Sequence, residues 1–207
     1  IPSKGTINCH AGKLPFYRGR NVLNWALIND EKEFGITVHF IDEGIDTGDI
    51  IIQKTFPILE IDNYKTILER SYQECPKLLV DAIHSIIDGN YKRTSQKKYS
   101  EFSMYCSKRK NGDEIINWNN NSREIFNFIR ALTLPGPCAQ TYVDKNYIKI
   151  ISSEFISNAP KYIGIPGTVL ETFDNSFLVK TKDSYIKILD WESDIKISTG
   201  LRFFNQE

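Results

Sequence analysis

An amide and an imidazole stand two positions apart in "INCHAGKLPFYRGRN": Asn8 and His10. On an extended segment, residues i and i+2 share a side, so both polar groups face one region while Cys9 faces the other. Asn offers a neutral N–H donor able to hold a developing oxyanion. His, with an ordinary pKa near ~6.5, can carry a proton at neutral pH. A carboxylate would complete the set, and "DEGIDTGDI" supplies Asp46, 36 residues beyond His10. A carboxylate near an imidazole favours imidazolium, so the native pKa of His10 is expected above its unfolded reference. Amide, imidazole and carboxylate suit acyl transfer to an amine, with no covalent intermediate on Ser or Cys. Ala11 and Gly12 would allow a close backbone approach, and Lys13, Arg18 and Arg20 gather positive charge in the same loop.

The elements must bring two distant loops together. "GTINC" reads as a strand leading into the His10 loop, and "GITVHFI" alternates with β-branched residues as a second strand. Side by side, they would open both loops at one sheet end, where open α/β sheets bind ligands. His39 lies mid-strand and reads as a hydrogen-bonded core histidine. The turn holding Asp46 is expected to use Gly44 and Gly48 for positive φ. That loop lacks the spacing and final Glu of an EF-hand, so no metal is expected. "VLNWALIND" suits a buried helix and "IIIQKTFPI" a strand. Asp62 or Asn63 could cap a long helix with apolar positions at threes and fours, stopped by Gly89, with His84 on its polar side. Pro76 should kink that helix or split it.

Composition then shifts. Residues 91–110 hold Lys92, Arg93, Lys97, Lys98, Lys108, Arg109 and Lys110 against Glu101, a basic connector. Its cations could be solvated or contact phosphate. "SREIFNFIRAL" reads as a helix ended by "LPGP", and five or six short strands follow from Ala139, as in a small barrel or sandwich. The border is placed between residues 100 and 101, giving domains 1–100 and 101–207. Trp25 and Trp118 read first as packing residues. The whole chain has 207 residues, 41% hydrophobic and 25% charged, with zero net charge, so no global field recruits nucleic acid or membrane. No apolar run approaches ~18 residues. With no secretory leader legible and four dispersed cysteines, reduced thiols in a cytoplasmic protein are expected.

The stretch "INCHAGKLPFYRGRNVLNWALINDEKEFGITVHFIDEGIDTGDI" resembles the folate-dependent formyltransferases, which show Asn-x-His, a Leu-Pro-x-Tyr-Arg-Gly run and an Asp-x-Gly-x-Asp-Thr-Gly-Asp loop. "KNGDEIINW", "IRALTLPGP" and "GTVL" resemble the family's carboxyl-terminal domain more loosely. The resemblance implies an α/β Rossmann-like formyltransferase domain followed by a small OB-like β domain. It implies Asn8, His10 and Asp46 as the catalytic trio and 10-formyltetrahydrofolate as donor. Asp42, Glu43, Gly44, Ile45 and Asp46 would hold the pterin, largely through backbone groups, and Arg20 would contact an anion near the folate tail or the sugar nucleotide. "YRGR…LNW" looks most like enzymes that formylate a nucleotide-linked amino sugar, dTDP foremost, for surface polysaccharide. Lys13, Tyr17, Arg18, Trp25, Lys108 and Arg109 would then line the acceptor site.

A methionyl-tRNA formyltransferase, a 10-formyltetrahydrofolate hydrolase and a non-catalytic remnant are the competing readings. Residues 151–207 carry six Lys or Arg and eight Asp or Glu, a net of −2, which argues against tRNA. No nucleic acid or membrane partner is expected, and homodimerisation through the small β domain is left open. Family members place part of a Rossmann-like domain before the Asn-x-His strand, whereas here only "IPSKGT" precedes it and the first residue is Ile. A fragment or truncated product is therefore expected, with an incomplete amino-terminal half.

Overall fold

The computed structural model describes residues 2–97 and 103–204. The chain divides into two units. The first runs through Arg109 without Leu27–Asp30 and Asn63–Lys65; the second takes those two short pieces and Lys110–Glu207. The expected border at 100/101, with Lys98 and Glu101, lies outside the described residues. The first unit reaches Arg109 because a two-residue strand β5 (Tyr105–Cys106) pairs in parallel with β2 (Arg18–Gly19).

In the first unit, β1 (Ile7–His10), β3 (Glu33–Phe40) and β4 (Ile50–Pro57) form a sheet in the order β1-β3-β4. Seven of the eight β3 residues are buried, as a central strand covered on both faces requires. β4 leaves Gln53, Lys54 and Thr55 exposed. Both pairings are antiparallel, which corrects the expected arrangement: Asn8 lies opposite His39, and His10 opposite Thr37. The loop after β1 and the loop after β3 therefore leave opposite ends of the sheet. They meet only because the hairpin loop 41–49 folds back, with Ile41 N–H on the Thr6 carbonyl (2.8 Å) and Phe40 N–H on the Asp49 carbonyl (2.9 Å).

Helix α1 spans Val22–Ile28 and α2 spans Tyr64–Ile87. α2 runs through Pro76 without a break, against the expected split. One missing N–H is outweighed by burial on both sides of it, at Ile67 and Ser71 before and Leu78 and Ala82 after. Beyond the helix, Gly89 takes φ +70, with the Asn90 N–H on the Ser85 carbonyl (2.9 Å), a left-handed stop.

The second unit begins its regular structure with α3 (Ser122–Leu132), the helix read from the sequence. Glu124 Oε2 accepts the Asn121 N–H (2.7 Å), and Asp183 Oδ1 accepts the Ser122 N–H and hydroxyl (2.8 and 2.7 Å), which settles its first turn. Five strands follow: β6 (Ala139–Val143), β7 (Asn146–Glu154), β8 (Val169–Phe173), β9 (Ser176–Lys180) and β10 (Tyr185–Ser193), in the order β6-β7-β10-β9-β8. The two outer strands are tied together by the tail. Phe204 exchanges backbone bonds with Tyr142 of β6, while the Leu201 carbonyl accepts from Val169 of β8. The tail thus covers part of both outer strands, one way to blunt an exposed sheet edge. α3 packs on β7 and β10 over a core that includes Ile125, Ile129, Ile148, Phe177 and Ile186. Trp118 belongs to it, stacked on Phe203 with its indole N–H on Thr141 Oγ1 (2.9 Å), so its packing role is met.

Candidate functional site

The site grows from the β1–β3 register. Asn8 and His10 share a side of β1, and His39 lies across from Asn8, so all three converge on one face. A register shift between Val38 and His39 in the β3–β4 ladder falls at this point. Asp46 arrives from the folded-back loop in the left-handed region (φ 54), which Asp tolerates. Gly44 and Gly48 do not take positive φ, contrary to expectation; they are needed for space. A Cβ on Gly48 would collide with the Phe40 carbonyl, and one on Gly44 with Thr47.

Asp46 lies between two imidazoles. Its Oδ2 is 3.7 Å from His10 Nδ1 and its Oδ1 is 3.5 Å from His39 Nε2. The rings are edge-on, with centroids 6.4 Å apart. The Gly19 N–H donates to Asp46 Oδ2 (2.8 Å). His10 Nε2 donates to the Tyr17 carbonyl (2.7 Å) and His39 Nδ1 to the Phe40 carbonyl (2.8 Å). The other nitrogen of each ring faces the carboxylate, and Asn8 Nδ2 lies 3.4 Å from His39 Nε2. The cluster has room for a proton on either imidazole, but two imidazolium ions would repel.

Burial opposes charge on His10. It pushes the His10 imidazole below its ordinary value, more than the Tyr17 carbonyl and Asp46 raise it, and His39 adds to the lowering. This overturns the expected upward shift: the carboxylate pairs with a ring that has lost most of its water. For Asp46, burial pushes the carboxyl up, yet the contacts from His39, the Gly19 N–H and His10 together hold it below the usual range.

The supporting loop is packed tightly. A Cβ on Gly12 would overlap His10 Nε2 and lie 2.5 Å from the Tyr17 carbonyl, so Gly12 leaves room for their hydrogen bond. Thr37 Oγ1 donates to the Gly12 carbonyl (2.7 Å), and Gln53 Nε2 donates to the Leu14 carbonyl (2.9 Å) and to Thr37 Oγ1 (2.8 Å).

Asn8, His10 and Asp46 come together, and the exposed loop Asp42, Glu43, Gly44 and Ile45 leads directly into Asp46. Arg20 and Lys108 present exposed side chains. Trp25 is half-buried, its indole N–H on the Ser107 carbonyl (3.2 Å). Arg109 packs nearby, its N–H on Asn21 Oδ1 (3.3 Å), with two guanidinium nitrogens buried and unbonded. Three others are spoken for internally. Lys13 pairs with Glu33 (2.5 Å), the Tyr17 hydroxyl donates to Glu31 (2.5 Å), and Arg18 is buried against Gln96 and Tyr105. Two residues were missed. His39 would have been found by setting Asn8 opposite it; Gln96, in the polar run "TSQKK", carries no signal in the sequence. Among the described residues no group of three His, Cys, Asp or Glu side chains could hold a metal ion.

The site lies in an α/β unit that is followed along the chain by a five-stranded β unit. The formyl transferase domain model matches residues 1–83 and the formyl transferase carboxyl-terminal domain model matches residues 108–207, and the chain belongs to the formyl transferase family. Sequence relatives include the methionyl-tRNA formyltransferase of Thermodesulfovibrio yellowstonii, 37% identical over 189 residues, covering 91% of this chain and 58% of the relative. That of Staphylococcus aureus is 35% identical over 184 residues, covering 89% and 58%. This chain thus spans less than two thirds of their length. Among solved structures, WlaRD, a sugar 3N-formyl transferase in the presence of dTDP and 5-N-formyl-THF, superposes with a TM-score of 0.70 at 29% identity, covering 92% of this chain and 66% of that one. The N-formyltransferase from Helicobacter canadensis, in complex with folinic acid and dTDP-3-aminofucose, also gives 0.70, at 30% identity, covering 90% and 66%.

Proposed function

We propose that this chain carries the proton-handling centre of an N-formyltransferase that moves the formyl group of 10-formyltetrahydrofolate to the amine of a nucleotide-linked amino sugar. The observation that carries the transfer chemistry is Asp46 held between His10 and His39, with Asn8 alongside. The bound folate supplies the formyl carbon and the nitrogen that leaves. Asn8 has a second amide N–H beyond the one given to His39, and this holds the carbonyl oxygen as it gains charge. The acceptor amine loses a proton as it forms the new C–N bond. His10 Nδ1, which faces the Asp46 carboxylate, takes that proton, and the carboxylate steadies the resulting imidazolium. The same proton then goes to the departing nitrogen. His10 Nε2 is engaged by the Tyr17 carbonyl, so holding the oxygen falls to Asn8. The exposed loop from Asp42 to Ile45 suits a flat polar ring that reads backbone groups.

The sugar acceptor is supported by the net −2 charge of residues 151–207, a poor match to a tRNA backbone, and by neighbours crystallised with dTDP or dTDP-3-aminofucose. A second reading, methionyl-tRNA as acceptor, is favoured by the sequence relatives. Incubation with 10-formyltetrahydrofolate and a dTDP-amino sugar, followed by mass spectrometry, separates them. A sugar nucleotide heavier by one formyl group is expected. Formylation of methionyl-tRNA alone would transfer the assignment to the second reading, and free formate alone would make the protein a hydrolase.

A further inference from the structure

Gln96 sits in the basic connector, far in sequence from every residue of the trio, yet it is buried. All four hydrogen-bonding positions of its amide are filled. Oε1 accepts from Arg18 Nη2 (2.8 Å) and Nε (3.3 Å), and Nε2 donates to the backbone carbonyls of Asp46 (3.0 Å) and Gly48 (2.7 Å). A primary amide is the group that can do this, with two lone pairs on one side and two N–H donors on the other. A carboxylate there would aim lone pairs at two carbonyl oxygens.

The connector grips the site at two further points. Thr94 and Ile50 exchange backbone bonds (2.9 Å each) where the Asp46 loop re-enters β4. Tyr105–Cys106 pairs with Arg18–Gly19, and the Tyr105 ring covers the Arg18 guanidinium (5.5 Å to its centroid). Gly19 then gives its N–H to Asp46. A Cβ on Gly19, at φ +94, would lie 2.5 Å from the Cys106 carbonyl, so this junction admits no side chain. The carboxylate is thus reached by two routes from the connector: through its own backbone from Gln96, and through Arg18 and Gly19.

We propose that Gln96 is a positioning residue for Asp46: the connector sets where the carboxylate stands between the two imidazoles, and so sets the proton affinity of the site. This rests on the proposed proton-handling role of the cluster. The groups facing His10 are Asp46, His39 and the Tyr17 carbonyl; those facing Asp46 are His10, His39 and the Gly19 N–H. Loosening Gln96 leaves the first set without its one anion.

The test is an NMR titration of His10 and His39 in wild type, Gln96→Ala and Gln96→Glu, with the Gly19 amide followed in the same spectra. In Gln96→Ala His10 should titrate at lower pH than in wild type, and in both variants the Gly19 amide should lose the response it shows as Asp46 is protonated. Gln96→Glu keeps the volume and the Arg18 contact, so it carries the test if Gln96→Ala fails to fold. In wild type itself, the side-chain amide protons of Gln96 should shift with the midpoint of Asp46, which needs no variant. An unmoved His10 midpoint in Gln96→Ala, or a Gln96 amide indifferent to Asp46, would overturn the proposal. Turnover is the separate arm: kcat should fall ~10–100-fold with little change in KM, as sub-ångström misplacement costs. If wild type transfers no formyl group but the titrations move, the positioning stands and the formyl-transfer reading falls.

Discussion

The two units use buried polarity differently. In the second, polar side chains finish turns and a helix end: Lys180 Nζ donates to the carbonyls of Thr181 and Ser184, and Ser122, Thr181 and Asp183 close one helix start. The bulk of the interior is a continuous apolar cluster. In the first, buried polar side chains converge on one loop: His10 and His39 face Asp46, and Gln96 ties Arg18, 78 positions away, to the backbone of Asp46 and Gly48. Apolar burial is non-directional and tolerates small displacements, whereas hydrogen bonds at these distances fix positions. The second unit is built to persist; the first is built to hold a few atoms in place.

The sharpest break in that contrast is a cavity in the second unit. Phe177 is fully buried against Trp191 and Phe203, with ring centroids 4.8 and 5.9 Å away. Phe177→Ala should cost ~3–5 kcal/mol, read as a lower denaturant midpoint for the second unit. The His10 titration should not move if the two interiors are independent in kind. A second unit that unfolds at the wild-type midpoint would show that its apolar core carries less than its burial implies.

The converse change is next in size. Asn8→Ala removes the amide from the site and touches no apolar core. Turnover should fall ~10²–10³-fold, the usual effect of losing an oxyanion donor, while the melting profile stays close to wild type. Near-normal turnover would remove Asn8 from the chemistry. A large stability loss instead would mean that its bond to His39 is structural, and the contrast between units would blur.

Much of this was legible in the residues. The α3 bounds followed from an amphipathic run between Asn121 and "LPGP", and the later strands from their alternation. Asn8, His10 and Asp46 were legible as a trio because their types and the glycine-rich loop are local signals. What stayed hidden was relational. Alternation shows which side a residue faces but not which way the neighbouring strand runs, so the antiparallel register and the place of His39 across from Asn8 were out of reach. Gln96 lies in text that reads as solvated polar chain, and only the folded-back loop makes it an interior residue. The shift of His10 went astray for a related reason: the carboxylate partner is written in the sequence, but the burial that outweighs it is a property of the fold.

Asp46→Asn tests that last point with the smallest structural change. His10 is held below its ordinary 6.5 by burial first, against the raising influence of the Tyr17 carbonyl and Asp46. A histidine held low binds fewer protons folded than unfolded, so it costs the fold nothing well above 6.5, costs more as pH falls below 6.5, and levels off beneath the folded value. Asp46 has the carboxylate sign: held below 3.8, it stabilises the fold fully above that value and loses this as pH falls through its folded value. Replacing the carboxylate by an amide keeps the shape and removes one of the two groups that raise His10. The His10 midpoint should therefore fall further, and the loss of stability that sets in below pH 6.5 should deepen. The acid limb contributed by Asp46 itself should vanish. NMR titration of His10, with melting temperatures taken across the same range, reads both. A His10 midpoint unchanged in the variant would mean that burial alone sets this ring, and that Asp46 answers to His39 instead.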